Sequence, residues 1–349
     1  MPDLNHFKNK KILVTGHTGF KGSWLSSILI NAGAEVTGYS LLPPTTPALF
    51  EIAKISKNMN SVIGDIRDYE NLLKVFDDTQ PEIVFHLAAQ PLVRESYKNP
   101  HYTYETNVMG TVNMLECIRH SSSVKSFLNV TTDKVYENKE WDWGYREIDP
   151  LDGFDPYSNS KSCSELVTHS YKNSFFNTTE IGISTARAGN VIGGGDFAAD
   201  RIIPDCIRAA IKGEDIIVRK PHSIRPYQHV LDPLFAYLLI AERQSADISS
   251  AGYYNVGPND EDCYNTGDLV KLFVEKWGEN LKWRNQNDGG PHEADFLKLD
   301  CSKMRTRFGW KPRWSFPTAI DKTVEWSKCW VNGGDIDKLM EEQIKLFLK

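Results

Sequence analysis

Three short pieces of this chain carry residue types suited to moving protons beside a bound dinucleotide: Gly16-His-Thr-Gly-Phe-Lys-Gly22, Thr132-Asp-Lys134 and Tyr157-Ser-Asn-Ser-Lys161. In the first, Gly16 permits a tight turn, Gly19 lets the backbone approach a pyrophosphate, and Gly22 lets a helix pack close to a sheet. The start of that helix then faces the negative charge. The spacing is G-x-x-G-x-x-G, not the G-x-G-x-x-G of the simplest fingerprint. In the third piece, Tyr157 and Lys161 stand four apart and share a helix face. A lysine beside a phenol, with the positive charge of a cofactor nearby, lowers the phenol pKa and makes the tyrosine a usable base. Thr132 can hydrogen-bond the same substrate hydroxyl. Asp133 can protonate a leaving hydroxyl, and a desolvated Lys134 can lose its proton and act as a second base. A simple dehydrogenase does not need this much acid/base equipment. The set points to an oxidation coupled to an elimination.

These residues need a scaffold, and the pattern around them supplies one. Short apolar runs at 11–15, 35–39, 61–63, 83–87, 126–130 and 181–185 read as buried parallel strands. Helical stretches at 23–32, 69–77, 104–120 and 156–173 fill the gaps. Alternating strands and helices predict an α/β fold, a doubly wound parallel (Rossmann) sheet whose ligands sit at the carboxyl ends of the strands. After Arg187 the character changes. A glycine-rich loop at 190–200 is followed by helices at 201–212, 230–243 and 266–277, strands at 216–218 and 253–256, and a helical last twenty or so residues. We read residues 1–187 as a dinucleotide-binding domain to which 230–258 return. Residues 188–229 and 259–349 read as a second, smaller mixed α/β domain for substrate.

Other candidate cofactor contacts follow from position. The second strand ends Tyr39-Ser40-Leu41, without the usual acid for the adenosine ribose and without an arginine for a 2′-phosphate, so NAD and NADP stay open there. Ser40 can hydrogen-bond a ribose. Asp65, followed by Ile66, can face adenine. Leu87-Ala88-Ala89-Gln90 offers small residues where a cofactor passes. Thr18 and Phe20 in the glycine loop, and Thr131 before Thr132, complete the set.

The 349 residues carry 40 lysines and arginines against 46 acids, a net charge of −6. Nothing in that balance favours nucleic acid or an anionic membrane. No run approaches the ~20 apolar residues of a membrane helix. Residues 1–11 lack the apolar core of a signal peptide. The six cysteines are dispersed and form no C-x-x-C pair, which suits a reducing, cytoplasmic setting. No metal-ligand spacing and no nucleophile elbow stand out, so no metal is expected.

The three pieces together resemble the extended short-chain dehydrogenase/reductase superfamily over nearly the whole chain. Within it, Thr132-Asp-Lys134 resembles the sugar-nucleotide 4,6-dehydratases. The stretches Gly16–Leu25, Gly38–Pro44, Ala186–Asp196 and Ile224–Val230 narrow the likeness to the branch acting on CDP-glucose, which also lacks the strand-two acid. The resemblance implies tightly bound NAD and a reaction without net redox change. Tyr157 takes the proton of the sugar 4-hydroxyl as hydride leaves C4, and the ketone acidifies the C5 hydrogen. Lys134 removes that hydrogen, Asp133 protonates the departing 6-hydroxyl, and hydride returns to C6. It further implies Asn190, Arg201 and Arg225 near the diphosphate, and a homodimer through helices 104–120 and 156–173. A UDP-N-acetylhexosamine dehydratase, a 4-epimerase needing only Tyr157 and Lys161, and a non-catalytic dinucleotide sensor remain alternatives. His292 and Glu293, in the loop Gly289-Gly-Pro-His-Glu-Ala294, receive no role.

Overall fold

Seven parallel strands carry the molecule: β1 (Lys11–Thr15), β2 (Glu35–Ser40), β3 (Asn60–Ile63), β4 (Ile83–His86), β5 (Ser126–Thr132), β6 (Gly182–Ala188) and β7 (Tyr253–Val256). They are hydrogen-bonded in the order β3-β2-β1-β4-β5-β6-β7, so the winding reverses between β1 and β4. The structure is a computed structural model and describes residues 1–278, 280–286 and 296–349. The loop with His292 and Glu293 lies outside the described residues.

Side chains alternate across each strand, and that period of two sorts the core into two faces. Ile12, Val14, Phe85, Leu128 and Val130 join Trp24, Leu25 and Ile28 of α1 (Phe20–Asn31) on one face. Leu13, Val84, Phe127 and Ile183 meet Leu72 and Phe76 of α2 (Tyr69–Thr79) and Met114 and Ile118 of α3 (Gly110–His120) on the other. A sheet buried on both sides accounts for the near-continuous apolar runs. The next helix, α4 (Pro156–Tyr171), starts with proline in its first turn, and its cap Asp155 accepts from the Ser158 backbone N–H at 3.0 Å. Thus the residues that fix where α4 begins also fix where Tyr157 stands.

Beyond β6, α5 (Ile202–Lys212), α6 (Leu231–Ala246), α7 (Thr266–Trp277), α8 (Phe316–Val331) and α9 (Ile336–Leu348) follow. Helix α6 packs back on β5 and β6. Ile203 and Ile207 of α5, Leu269 and Phe273 of α7, and Phe316 and Ile320 of α8 form a third apolar cluster, with Ile216 and Val218 of a short strand.

Four elements differ from the sequence reading. The helix expected over 104–120 is broken: a short helix ends at Tyr104, a wide π-type turn occupies Glu105–Met109, and α3 begins at Gly110. The cause is Asn107, drawn inward, whose Oδ1 accepts the Gln90 N–H at 2.8 Å and whose Nδ2 donates to Ser160 Oγ at 2.9 Å. Strands β5 and β6 run two and three residues further than expected, pairing Thr131 with Arg187 and Thr132 with Ala188. Arg187 is tolerated inside the sheet because Glu165 meets it at 2.9 Å. Helix α8 was not anticipated. In the loop at 190–200, Val191–Ile192 pairs with Gln228–His229.

Candidate active site

The glycine loop leaves β1 and enters α1 as the sequence predicts. Gly16 has φ +74°, and a Cβ there would lie 2.9 Å from the Ala88 nitrogen. A Cβ on Gly22 would lie 2.1 Å from the Gly16 carbonyl oxygen, so the helix sits too close to the turn for any side chain. Gly19 caps α1 without a side-chain hydrogen bond. The first N–H groups of α1 therefore remain available to an anion such as a pyrophosphate, and the loop fits a dinucleotide. His17 fills the space over Gly38, hydrogen-bonds Ser61 Oγ at 2.7 Å, and is held neutral by burial, its pKa lowered to about 4.

The remaining cofactor candidates line the carboxyl edge of the sheet with their polar atoms already engaged. Ser40 Oγ lies 2.6 Å from Thr18 Oγ1 and donates to the Leu41 carbonyl at 2.9 Å. Asp65 holds Arg67, with Nη2 to Oδ2 at 2.7 Å, and Arg67 also reaches Glu105 at 3.0 Å. That ion pair holds the Asp65 carboxyl below its usual range. Ile66 is buried against Gly110. The turn Leu87-Ala88-Ala89-Gln90 is pinned at its start, where the Leu87 and Ala88 N–H groups donate to Thr15 Oγ1, and at its end by Asn107. Phe20 is half-buried against the core.

The proton-moving residues meet in one place. A cavity of about 450 Å3 is lined by Thr131, Thr132, Asp133, Lys134, Tyr157, Asn190, Arg201 and Arg225, all singled out from the sequence. Asp133 follows β5 in a tight 3-10 turn, Asp133–Val135. It is buried; Oδ1 accepts from the Thr132 hydroxyl at 2.9 Å, and Oδ2 has no hydrogen-bond partner among the described residues. Burial pushes its carboxyl pKa up against the opposing charges of Lys134, Arg225 and Lys21. A carboxyl that lines the cavity, biased toward its protonated form and with one oxygen free of hydrogen bonds, is arranged as an acid.

Lys161 stands one turn from Tyr157 but behind the cavity lining. Its ammonium donates to the Val130 carbonyl at 3.1 Å, and burial together with Lys21 draws its pKa down to about 8. The Tyr157 phenol is pushed up to about 12, chiefly by desolvation, opposed by a hydrogen bond with Thr132 and by the charge of Arg201. The expected lowering by Lys161 is therefore not met in the chain alone. Desolvation dominates at the phenol, and the lysine points to the Val130 carbonyl. Arg201 pairs with Asp196 at 3.0 Å and acts on Tyr157, while the buried Arg225 acts on Asp133.

Sequence reasoning missed several residues here. Lys21 reaches the cavity from the glycine loop, and burial and Arg201 lower its pKa to about 8. It lies inside the first motif, where the spacing singles out the glycines and a lysine carries no signal of its own. Arg94, Asp196, Arg219 and Lys220 also line the cavity. Eight lysines and arginines against five acids surround the space, in a chain that is acidic overall. That surplus suits a doubly charged phosphate ligand.

The sheet order, the loop after β1 and the tyrosine and lysine on α4 define a dinucleotide-dependent enzyme of the extended short-chain dehydrogenase/reductase class. A family model described as GDP-mannose 4,6 dehydratase matches residues 13–323, and the chain belongs to that family. It is 49% identical over 344 residues to the CDP-glucose 4,6-dehydratase of Salmonella typhimurium, covering 96% of this chain and 95% of that one. It is 30% identical over 335 residues to a probable dTDP-glucose 4,6-dehydratase of Sinorhizobium fredii, covering 90% and 92%. Among solved structures, the UDP-glucose 4-epimerase of Thermotoga maritima with UDP-glucose superposes with a TM-score of 0.80 at 24% identity, over 92% of this chain and 99% of that one. The dTDP-glucose 4,6-dehydratase of Bacillus anthracis in complex with NAD gives 0.76 at 22%, over 91% and 96%. These two likenesses are of fold.

Proposed function

We propose that this chain dehydrates CDP-glucose to CDP-4-keto-6-deoxyglucose with bound NAD, as a hydro-lyase. The observation that carries the reading is Asp133: a buried carboxyl, pushed toward its protonated form, that lines the cavity together with Tyr157 and Lys134 and has one oxygen without a hydrogen-bond partner. An epimerase has no use for such an acid. The glycine loop, Ser40, Asp65 and the turn 87–90 hold NAD, which when bound accepts hydride from sugar C4 and returns it at C6.

The chain's own residues do the rest. Tyr157 takes the proton of the 4-hydroxyl. The ketone at C4 then acidifies the C5 hydrogen, which Lys134 removes. Asp133 gives its proton to the departing 6-hydroxyl, and Lys134 returns a proton to C5. Lys161 would help hold the cofactor. Asn190, Arg201 and Arg225 hold the diphosphate, the arginines by charge-assisted hydrogen bonds. Residues 188–229 and 259–349 form the nucleotide-sugar lobe; the third apolar cluster supports this for 192–227, 269–277 and 316–324, while Leu297–Trp310 and Ile336–Phe347 pack with the sheet's first cluster. The chain works as a cytoplasmic homodimer. Exposed Met109, Phe154 and Leu166, on and beside the two helices expected to pair, support that contact. No described helix is long and apolar enough to cross a membrane.

The test is mass spectrometry of CDP-, dTDP-, UDP- and GDP-linked hexoses after incubation with the protein. Loss of one water from CDP-glucose is expected. Loss from another substrate replaces the nucleotide and keeps the chemistry, and no mass change in any tube overturns the dehydratase reading.

A further inference from the structure

The oxidation and the elimination rest on different supports. Tyr157, the base of the first, sits in the opening turn of α4. Asp155 fixes that turn by accepting from the Ser158 N–H at 3.0 Å and from the Ser158 hydroxyl at 2.6 Å. Asp133 and Lys134, the acid and base of the second, sit on Asp133–Val135, a single 3-10 turn whose own hydrogen-bond geometry is poor.

What holds that turn lies outside it. Side chains alternate along a strand, so Thr131 of β5 and Thr185 and Arg187 of β6 share the sheet face on which α4 packs. There they meet Glu165, four residues past Lys161 and eight past Tyr157 on one side of the helix. The Thr131 hydroxyl donates to Glu165 Oε1. The Thr185 hydroxyl donates to Oε2 at 2.7 Å, and Arg187 Nη2 donates to the same oxygen at 2.9 Å. Arg187 Nη1 reaches the other flank of the turn, donating to the Tyr136 phenol oxygen at 2.9 Å and to the Glu147 carbonyl at 3.1 Å. The Tyr136 hydroxyl donates on to Asn255 Oδ1 at 2.6 Å. The side chains of Glu165 and Arg187 are 1% and 3% exposed. A buried ion pair gains little net stability, because desolvation offsets the attraction. The rigid fork of arginine does fix direction, and here it joins the residue before Thr132, through Glu165, to the residue after Val135.

Resting on the dehydratase reading, we propose that the Glu165–Arg187 pair is a positioning device for the elimination. It clamps both flanks of the Asp133–Val135 turn and so sets Lys134 against C5 and Asp133 against the 6-hydroxyl. Oxidation at C4 is left to the separately held Tyr157. A misplacement of about 1 Å costs a reacting group about a hundredfold in rate, so a loosened clamp slows the step that the turn performs and spares the other.

The experiment is stopped-flow and rapid-quench kinetics of the NAD-loaded wild type, Tyr136→Phe and Arg187→Lys, with CDP-glucose and with CDP-glucose deuterated at C5. Tyr136→Phe deletes one oxygen and leaves the ion pair. Arg187→Lys keeps the charge against Glu165 and loses the fork. In both variants, reduced cofactor should form within about threefold of the wild-type rate while water loss slows by ~10–100-fold. The near-ultraviolet absorbance of reduced cofactor should then build up, and the deuterium isotope effect on turnover should rise. A purely structural role lowers the amount of folded enzyme and scales both steps by one factor. Equal slowing of the two steps, or a wild-type balance between them in Tyr136→Phe, overturns the clamp whether or not Arg187→Lys folds. If wild type itself releases no water from the sugar, the dehydratase reading falls and the clamp with it.

Discussion

The two ends of the cavity are built on opposite principles. At the inner end, Thr132 stands on the last residue of β5, Asp133 on the turn that follows it and Lys161 on a capped helix. All three are nearly sealed from water, and the ionisation of Asp133 and Lys161 is set mainly by desolvation. At the mouth, Arg94, Arg201 and Arg219 stand on loops and short helices, partly exposed, in ion pairs with Asp196, Asp200 and Asp205. The inner end exploits the cost of burying charge to shift acids and bases by whole pKa units. The mouth has a surplus of charge in higher dielectric, where each pair contributes little and exchanges readily with a ligand phosphate. Chemistry demands fixed geometry and a dry environment, whereas capture of a nucleotide tolerates exposed, adjustable charges.

That contrast breaks most visibly through Tyr157. Tyr157→Phe should lower kcat about a thousandfold while leaving nucleotide-sugar affinity, measured by calorimetry, within a factor of a few. A large loss of affinity with modest loss of kcat would place the phenol in binding instead. In Lys134→Ala, oxidation at C4 should proceed and elimination stall, so that the near-ultraviolet absorbance of reduced cofactor builds up on the enzyme. Normal product at near wild-type rate would remove Lys134 from the C5 step.

The next effect is on stability, and it arises from buried histidines. His86 and His229 are held at about 3 and His17 at about 4, each by burial. Below pH 6.5 the unfolded chain protonates these three while the native chain does not, so stability falls as pH falls through the window from 6.5 toward 4 and 3. Three such protons amount to at most about 4 kcal/mol per pH unit. Buried Asp232, raised to about 7, takes up a proton in the native chain over the same range and offsets one of the three, so urea midpoints stepped from pH 7.5 to 5 should show a slope of at most about 3 kcal/mol per pH unit, and His86→Asn should reduce it by about half. A flat profile would mean that the interior is wetter than its burial implies.

At the mouth, Arg219→Ala should raise KM about tenfold with kcat unchanged, and added salt should weaken the wild type toward the variant. A fall in kcat would show that the mouth shapes the chemistry as well as capture. The smallest effect returns to the inner end. Asp133→Asn removes a buried carboxyl that is costly to ionise, so it should abolish water loss yet stabilise the fold by about 1 kcal/mol in denaturant titration at neutral pH. Destabilisation would mean that Asp133 holds the β5 turn together.

Much of this was legible in the chain because it is local. The glycines at 16, 19 and 22 need only their spacing after an apolar strand, and Tyr157 and Lys161 need only helical periodicity behind an Asp-Pro cap. What was not legible depends on partners far along the chain. Ser40 reads as a ribose ligand and Asp65 as an adenine contact, but only the fold shows Thr18 beside the Ser40 hydroxyl, and Arg67 pairing with both Asp65 and Glu105. The helix at 104–120 reads as continuous until Asn107 is pulled toward Gln90 and Ser160. Arg187 looks out of place in a strand until Glu165 is brought against it.

The sequence by itself therefore determined the kind of sheet, where a dinucleotide enters it, and which residue types stand at the reaction centre, since these follow from backbone periodicity and from the chemistry of single side chains. Only the tertiary structure decided their ionisation. Asp133 is raised, Lys161 and Lys21 are lowered and Tyr157 is held near 12 because distant segments close around them and exclude water. The free energy of a charge depends on everything within several ångströms of it, and no stretch of sequence contains that neighbourhood.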